Sequence, residues 1–578
     1  MTLVTGAPPY PPNYPKPVER TDGIAREILL AALLASPRDA GDLDKLASRF
    51  SKRYARGLLP RWVLRRVFEL DPEVRAAAQE RPDAAAALLR LLTTKSVRSR
   101  SGIVPISLFL KPFGCPAQCV YCPSERHMPK SYLSDQPAVR RALRHDFDAY
   151  GQVAARLEQL RLGGHPVDKL ELIIQGGTFS HPPRRYREEF LTGVFAAANG
   201  AAASDELTLE LAQRLNERAP HRVIGITVET RPDWITLEEM AFLRHLGVTR
   251  VELGVQTLDD RISALTQRGH DTADVAQATR LLRDAGFKVG YHLMPGLPGA
   301  TSDDDVESAR QVFDDPRFRP DLLKLYPCVV TRFSELEAWV LAGRFVPYSE
   351  TQVRETLAGI KRLVPRYVRI HRVFRDFTAD DIRHGSRVSH VRDVVQADLA
   401  AAGTPCRCIR CREVGESARP DAPLTLQTTS YEAAEGHEHF LEYVDAHDRV
   451  HALLRLRFPG PAAIATAAAA PDTAISSVAA TALYDALPEL AGCALVRELH
   501  TYGRQVRIAT TDANAAQHQG LGRALLAEAE RRARAAGYAR LAVISGIGVR
   551  DYYRRLGYDL IGSYMIKRLR EAPSVDSP

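Results

Sequence analysis

KPFGCPAQCVYCPSE, residues 111–125, puts Cys115, Cys119 and Cys122 within eight positions of a chain that holds eight cysteines in all. A disulfide uses two thiols and leaves one over. A structural zinc site asks for a fourth ligand that this loop does not carry. Three thiolates spaced C-x3-C-x2-C can instead hold three irons of a [4Fe–4S] cluster and leave the fourth iron open to another molecule. A zinc loop completed by a distant residue is the alternative that spacing alone leaves standing.

The surroundings favour the cluster. Short β-rich runs recur with room for a helix between them: GIVPISLFL just before the loop, then KLELIIQGG, HRVIGITVET, TRVELGVQTL, FKVGYHLMPG and DLLKLYPCV. Six such units predict an α/β fold, a parallel barrel or partial barrel with active residues at the C-terminal strand ends, and the resemblance named below implies the partial (βα)6 form. Gly176 and Gly177 end the second strand, where a glycine pair lets a ligand approach the backbone. Glu229 ends the third strand, Gln256 the fourth and Met294-Pro295-Gly296 the fifth. Loop and barrel together resemble the radical S-adenosylmethionine superfamily. The resemblance implies that Cys115, Cys119 and Cys122 hold the cluster and that S-adenosylmethionine binds at Gly176, Gly177, Glu229 and Gln256.

Working outward, residues 1–18 are Pro-rich and read as disordered, and residues 19–95 read as helices. The net charge of +8 is concentrated there: residues 51–100 carry twelve Lys or Arg against five Asp or Glu. Lys52, Arg53, Arg56, Arg61, Arg65 and Arg66 form the candidate phosphate-binding surface, with a solvated helix face as the plainer reading. No apolar run of about 18 residues predicts a membrane span. The start, MTLVTGAPPYPPNYPKP, lacks the charged and apolar regions of a secretory signal, so a cytoplasmic location is expected. Few, clustered cysteines also suit a reducing compartment.

The barrel is expected over 96–350, followed by a linker over 351–425 that contains CRCIRC. Cys406, Cys408 and Cys411 lie in six positions, a metal site best suited to structural zinc because the segment is expected away from the barrel mouth, with His384 and His371 as candidate fourth ligands. A second α/β domain is expected over 426–570, with a short tail, 571–578. It opens on a hairpin at 437–459 and includes an Ala-rich insert, 460–482. Its Gln517-His518-Gln519-Gly520-Leu521-Gly522-Arg523 has the form Q-x-x-G-x-G and opens a helix, where exposed amides bind an anion. The order of strand, glycine turn, helix, strand and RDYYRRLGY resembles the GNAT acetyltransferases. That resemblance implies acetyl-CoA binding at Gln517, Gly520, Leu521, Gly522 and Arg523, and along Glu498, Leu499, His500 and Thr501. Tyr552 or Tyr553 would serve the thioester.

Both domains in one chain resemble the catalytic third subunit of Elongator, including its single-chain bacterial and archaeal forms. The matching stretches are SVRSRSGI, CVYCP, GGTF, GITVETRPD, CRCIRCREVG, VRELHTYG, QHQGLG and AVISGIGVRDYYRRLGY. The family implies a tRNA-binding enzyme that makes 5-carboxymethyluridine at wobble uridine 34, fed by an electron donor. The acetyl-CoA methyl group would lose hydrogen, the carbon would add to uridine C5, and the thioester would be hydrolysed. The family also implies that Lys169 contacts acetyl-CoA. The chain departs from many members in its short C-x3-C interval and its Ala-rich insert. Two rival readings are a protein lysine acetyltransferase with Glu498 as base, and a tRNA-binding scaffold with retired sites.

Overall fold

The computed structural model describes residues 19–54, 57–93, 103–202, 206–388, 390–415, 423–460, 482–502 and 520–569. Arg56, Gln517, most of the Ala-rich insert, the Pro-rich start and the tail lie outside them.

Five helices, Glu19–Ala35, Ala40–Arg53, Arg61–Leu70, Pro72–Glu80 and Pro82–Leu92, form an N-terminal unit. Asp39 and Asp71 accept backbone N–H bonds as N-caps, and Pro72 and Pro82 sit in first turns, where a missing N–H is harmless. Ile28, Leu29, Leu64, Val67 and Leu88 close its own core.

The barrel strands are β1 (Val104–Phe109), β2 (Lys169–Gln175), β3 (Arg222–Thr230), β4 (Arg250–Gln256), β5 (Lys288–Leu293) and β6 (Leu322–Leu325). A two-residue strand β7 (Val330–Thr331) follows, then β8 (Arg369–Val373) and β9 (Ile382–His384), which pairs with β7. The sheet runs β1-β2-β3-β4-β5-β6-β8, all parallel. It therefore has seven strands where six are expected from sequence. The seventh lies inside the expected linker, because RIHRV is too basic to read as a barrel strand. Among the described residues β1 and β8 are left as unpaired edges, so the barrel stays open along one seam.

Alternation along the strands sorts two faces. Leu170, Leu172, Val251, Leu253, Val289, Leu323 and Ile370 join the core under the outer helices. Those helices begin at Thr236, Asp271, Thr301 and Ser349, whose side chains cap them. The opposite face, turned inward, carries Glu171, Thr227, Glu229, Arg250, Glu252, Lys288, His292, Lys324, Arg369 and His371, registered strand to strand. A closed barrel normally fills this space with branched apolar residues. Here it is polar.

The C-terminal sheet runs β10 (Thr425–Ala433), β11 (Gly436–Val444), β12 (Val450–Phe458), β13 (Cys493–Thr501), β14 (Arg540–Val543), β16 (Tyr564–Arg568), β15 (Asp559–Ile561). Only β13 and β14 are parallel neighbours, and they pair only from Cys493 to Val496, parting where β13 continues to Thr501. The helix Leu521–Ala535 packs its Leu525, Leu526 and Ala529 on this sheet. The domain seats against the N-terminal ends of the barrel strands. Arg497 reaches Asp321 at 2.7 Å and Glu438 at 2.8 Å, Arg283 reaches Glu438 at 2.8 Å, and Arg455 bonds Tyr367 O at 2.7 Å. A Cβ at Gly546 would lie 2.0 Å from Ile224 O, so only glycine permits this approach to β3.

Candidate functional site

The cysteine loop sits at the C-terminal end of the barrel. Cys119 is buried, and Cys115 Sγ lies 3.7 Å from Thr178 Oγ1 in the turn after Gly176-Gly177. Arg268 donates to Cys119 Sγ at 3.6 Å and to Gly254 O. A bond from Cys122 and the Arg268 charge together hold the Cys119 thiol down at about 5, against the effect of burial. The same bond, with burial, pushes the Cys122 thiol up, so the two sulfurs share a proton. Thiolates around one ion stand about 3.8 Å apart at tetrahedral Zn–S bond lengths. Among the described residues Cys406, Cys408 and Cys411 bring their sulfurs within 4.8 Å of one another, and the three loop cysteines do not. The loop set is thus not closed around a single point, although Cys119 and Cys122 are hydrogen-bonded to each other.

Gly176 and Gly177 have φ of 137° and 90°, which side-chain-bearing residues avoid, and a Cβ at Gly176 would press on Leu110. Gln256 also has a positive φ, 72°, a strained position of the kind found at ligand sites. Glu229 accepts from Tyr132 Oη at 2.8 Å and Lys324 Nζ at 2.7 Å. Lys324 also pairs with Glu252, which His292 meets at 3.0 Å. Burial raises the Glu229 carboxyl, but Lys324 and His292 outweigh it and bring it to about 2. Gly177, Glu229 and Gln256 line one cavity of about 1280 Å³ with Cys115, Cys119 and Cys122. Arg268, Tyr132 and Lys324 escaped the sequence reading. Lys324 had its place in β6 as a signal, whereas Tyr132 and Arg268 lie in loops away from any strand end and had none.

The coenzyme candidates divide between two faces of β13. Leu499 and Thr501 turn to the glycine helix: a Cβ at Gly522 would lie 3.2 Å from Tyr552 Oη, 3.7 Å from Thr501 Cγ2 and 4.0 Å from Leu499 Cδ2. Gly520 has φ 75° and opens the helix, with Leu521 and Arg523 in its first turn. Tyr552 borders this cleft. Tyr553 instead lies buried edge-on between Tyr552 and Tyr558 in the domain core, and burial raises its phenol. Glu498 and His500 turn the other way, to the lower end of the barrel. Glu498 meets Arg455 at 2.8 Å and Lys288 at 3.4 Å, and these cations hold it ionised despite burial. A carboxylate so held is a poor base for lysine acetylation. His500 is kept neutral by burial, its pKa at about 4. Among the described residues its Nε2 has no hydrogen-bond partner, and neither do Thr227 Oγ1 and Arg250 Nη2 in the barrel interior. Lys169 begins β2 at the same end, half-buried, its ammonium pKa lowered by burial.

The Cys406–Cys411 turn packs on β8 through the Ile409 N–H to Val368 O bond. Contrary to the sequence reading, it borders the barrel opening, since Arg410 within it lines the cavity. Neither proposed fourth ligand joins it. His371 faces Glu252 in the barrel interior and His384 lies in β9 beside Val330.

The basic helices need one correction. Arg66 is buried in an ion pair with Asp22, which removes it from any phosphate-binding surface. Arg61 pairs with Asp44 at 3.2 Å and Arg65 with Glu69 at 3.1 Å. Lys52 and Arg53 are exposed.

Known proteins match this layout. The model of the radical SAM superfamily matches residues 111–312, that of the radical SAM C-terminal domain 320–401, and that of the acetyltransferase (GNAT) family 432–558. A protein of Dehalococcoides mccartyi named tRNA uridine(34) acetyltransferase is 45% identical over 82% of this chain and 99% of its own length. Elongator complex protein 3 of Danio rerio is 35% identical over 96% of this chain and 100% of its own. The solved structure of Methanocaldococcus infernus Elp3 lacking its N-terminus superposes with a TM-score of 0.67. It is 36% identical and covers 81% of this chain and 100% of that one.

Proposed function

From the premise that the chain belongs to the family of tRNA uridine(34) acetyltransferases and Elongator complex protein 3, we propose that it builds 5-carboxymethyluridine at the tRNA wobble position from acetyl-CoA. The observation that carries this reading is the polar barrel interior. One end of it holds the three loop cysteines, and the other meets Glu498 and His500 of the coenzyme strand. Glu498 and His500 thus bring the coenzyme strand into contact with the barrel, while Leu499 and Thr501 turn to the cleft on its other face.

Cys115, Cys119 and Cys122 would hold the [4Fe–4S] cluster, and Gly176, Gly177, Glu229 and Gln256 would receive S-adenosylmethionine. When bound, these groups supply the one-electron chemistry that removes hydrogen from an unactivated carbon. The protein's part is placement. Gly176 and Gly177 let the ligand reach the backbone. Lys324 keeps Glu229 charged, so the carboxylate accepts hydrogen bonds without taking up a proton. Arg268 fixes Cys119. Leu499, Thr501, Gly520 and Gly522 form the cleft for the coenzyme arm, with Tyr552 beside it. The Cys406, Cys408 and Cys411 turn would hold zinc with a fourth ligand from outside the set, in a structural role. The cluster also requires an electron donor.

Anaerobic incubation with tRNA, S-adenosylmethionine, dithionite and trideuteromethyl acetyl-CoA, followed by nucleoside mass spectrometry, tests the reading. Loss of one methyl hydrogen before the carbon joins C5 leaves two deuteriums in the carboxymethyl group. A product with all three would mean that the acetyl group moved intact, and the proposal would be wrong.

A further inference from the structure

Every buried acid but one, among the described residues, forms an ion pair: Glu239 with Arg187, Glu252 with Lys324, Asp321 with Arg497, Asp381 with Arg332, and the rest likewise. Asp305, in the first turns of the helix Ser302–Asp314, is the exception. Its Oδ2 instead accepts the Gly296 N–H at 2.7 Å and Tyr348 Oη at 2.8 Å. Burial raises its carboxyl to about 6, and those two bonds restrain the rise. A buried carboxylate without a cation is costly, and this one orders a single turn. Residues 294–300 follow β5. The Met294 N–H bonds Gln256 O at 2.8 Å, and Pro295 O accepts the Cys328 N–H at 2.7 Å. Gly296 has φ 81°, and a Cβ there would lie 3.0 Å from Tyr348 Cδ2, so the ring packs on a bare α-carbon. Pro295, Gly296 and Leu297 are buried, while Met294 is only half-buried. Met294 lines the large cavity with Cys115, Cys119 and Cys122, and it packs on the same apolar cluster as Cys115 and Cys122.

We propose that Asp305 is a positioning residue of the S-adenosylmethionine pocket: through Gly296 and Tyr348 it fixes the turn after β5, so that Met294 forms the apolar wall beside the cysteine loop. One oxygen holds donors from two separate segments, and a charged acceptor makes both bonds stronger than a neutral amide would. With Gly296 tied behind it, Met294 starts from a fixed backbone. Its thioether fills space next to a ligand without competing for that ligand's hydrogen bonds. Gln256, whose carbonyl takes the Met294 N–H, lines the same cavity. This inference rests on the cluster and S-adenosylmethionine reading above and adds what holds the fifth-strand side of that pocket in place.

Equilibrium binding of S-adenosylmethionine to the anaerobically reconstituted holoenzyme tests it. Asp305→Asn keeps the shape and removes the charge. At about pH 8 it should weaken binding about three- to tenfold, the difference between a charged and a neutral acceptor. Wild-type affinity should fall as pH drops through about 6, where Asp305 takes up a proton, and the Asn variant should lack that step. The groups around Asp305 titrate elsewhere. Bonds from Thr301 hold Asp304 low, burial raises Cys328 to about 12 and Tyr348 further, and Arg261 beside Asp304 stays charged. Tyr348→Phe removes one of the two donors and should weaken binding in the same direction by less. Met294→Ala should weaken it too, and adding Met294→Ala to Asp305→Asn should cost little more, because Asp305 acts through Met294. Coenzyme A affinity should match the wild type in all three variants, which a general loss of fold would not spare. Equal affinity and an equal pH course in wild type and Asp305→Asn, or strictly additive losses at 305 and 294, would overturn the positioning role alone. Failure of the wild type to hold iron or S-adenosylmethionine would overturn the pocket reading with it.

Discussion

Lys324 carries the charge balance of the barrel interior. It pairs with Glu229 and Glu252, all three buried, and burial opposes each charge on its own. Glu229, at about 2 against an ordinary 4.5, contributes stability that is complete above pH 4.5 and lost as pH falls towards 2. Lys324→Met leaves two buried carboxylates without their cation and should cost about 3–5 kcal/mol at neutral pH. It also turns the sign around. A carboxyl raised above its unfolded pKa binds more protons in the native state, so the variant loses stability as pH rises. Urea unfolding at about pH 5 and about pH 8 should show the larger penalty at the higher pH. Equal penalties would mean that neither carboxyl depends on Lys324 for its charge.

Two elements make separable claims. The helix Leu521–Ala535 starts at a left-handed Gly520, and its Gly522 faces Thr501, Leu499 and Tyr552. Gly522→Glu puts bulk and negative charge at a helix start suited to an anion. Calorimetric titration should show coenzyme A binding weakened by at least about tenfold, roughly 1.4 kcal/mol. The visible iron–sulfur absorbance should persist, because the cysteine loop belongs to the other domain. Unaltered coenzyme affinity would remove this turn from the site. The Cys406–Cys411 turn predicts a second metal inventory. Cys408→Ser should lose zinc while retaining iron, and Cys119→Ala should do the reverse, as read by elemental analysis of the purified proteins. Loss of iron in the Cys408 variant would mean that the two sets are not independent.

At the scale of the whole molecule, the two domains are joined by charge inside a dry interface. Arg497, Arg283, Asp321 and Glu438 are all fully buried there, linking β13 and β11 to the barrel. Such a network gives little net stability over an apolar interface, but it is costly to break. Scanning calorimetry should show barrel and C-terminal domain unfolding in one transition. Arg497→Met should lower that transition by about 3–5 kcal/mol of stability, through the uncompensated Asp321 and Glu438. Separate transitions in the wild type would show that the interface does not couple the domains.

The sequence by itself determined what is local. The C-x3-C-x2-C loop follows β1, the paired glycines take positive φ after β2, and Gly520 stands left-handed at the start of a helix, each where its spacing put it. Each signal lies within a few residues, where spacing alone fixes geometry. The β-rich runs were legible for the same reason, as alternation with branched residues. RIHRV was not, since its ion pairs and polar interior contacts come from Glu413, Glu252 and other distant residues. Tertiary structure alone decided which charges are free. Arg66 lies on a basic helix like its neighbours, and only folding brings Asp22 to it. Tyr552 and Tyr553 are adjacent, and about 100° of helix rotation puts one at the coenzyme cleft and the other in the core. A charge pattern records which ions a chain owns. Their partners depend on contacts between residues hundreds of positions apart, and burial then decides whether a charge binds a ligand or holds the fold.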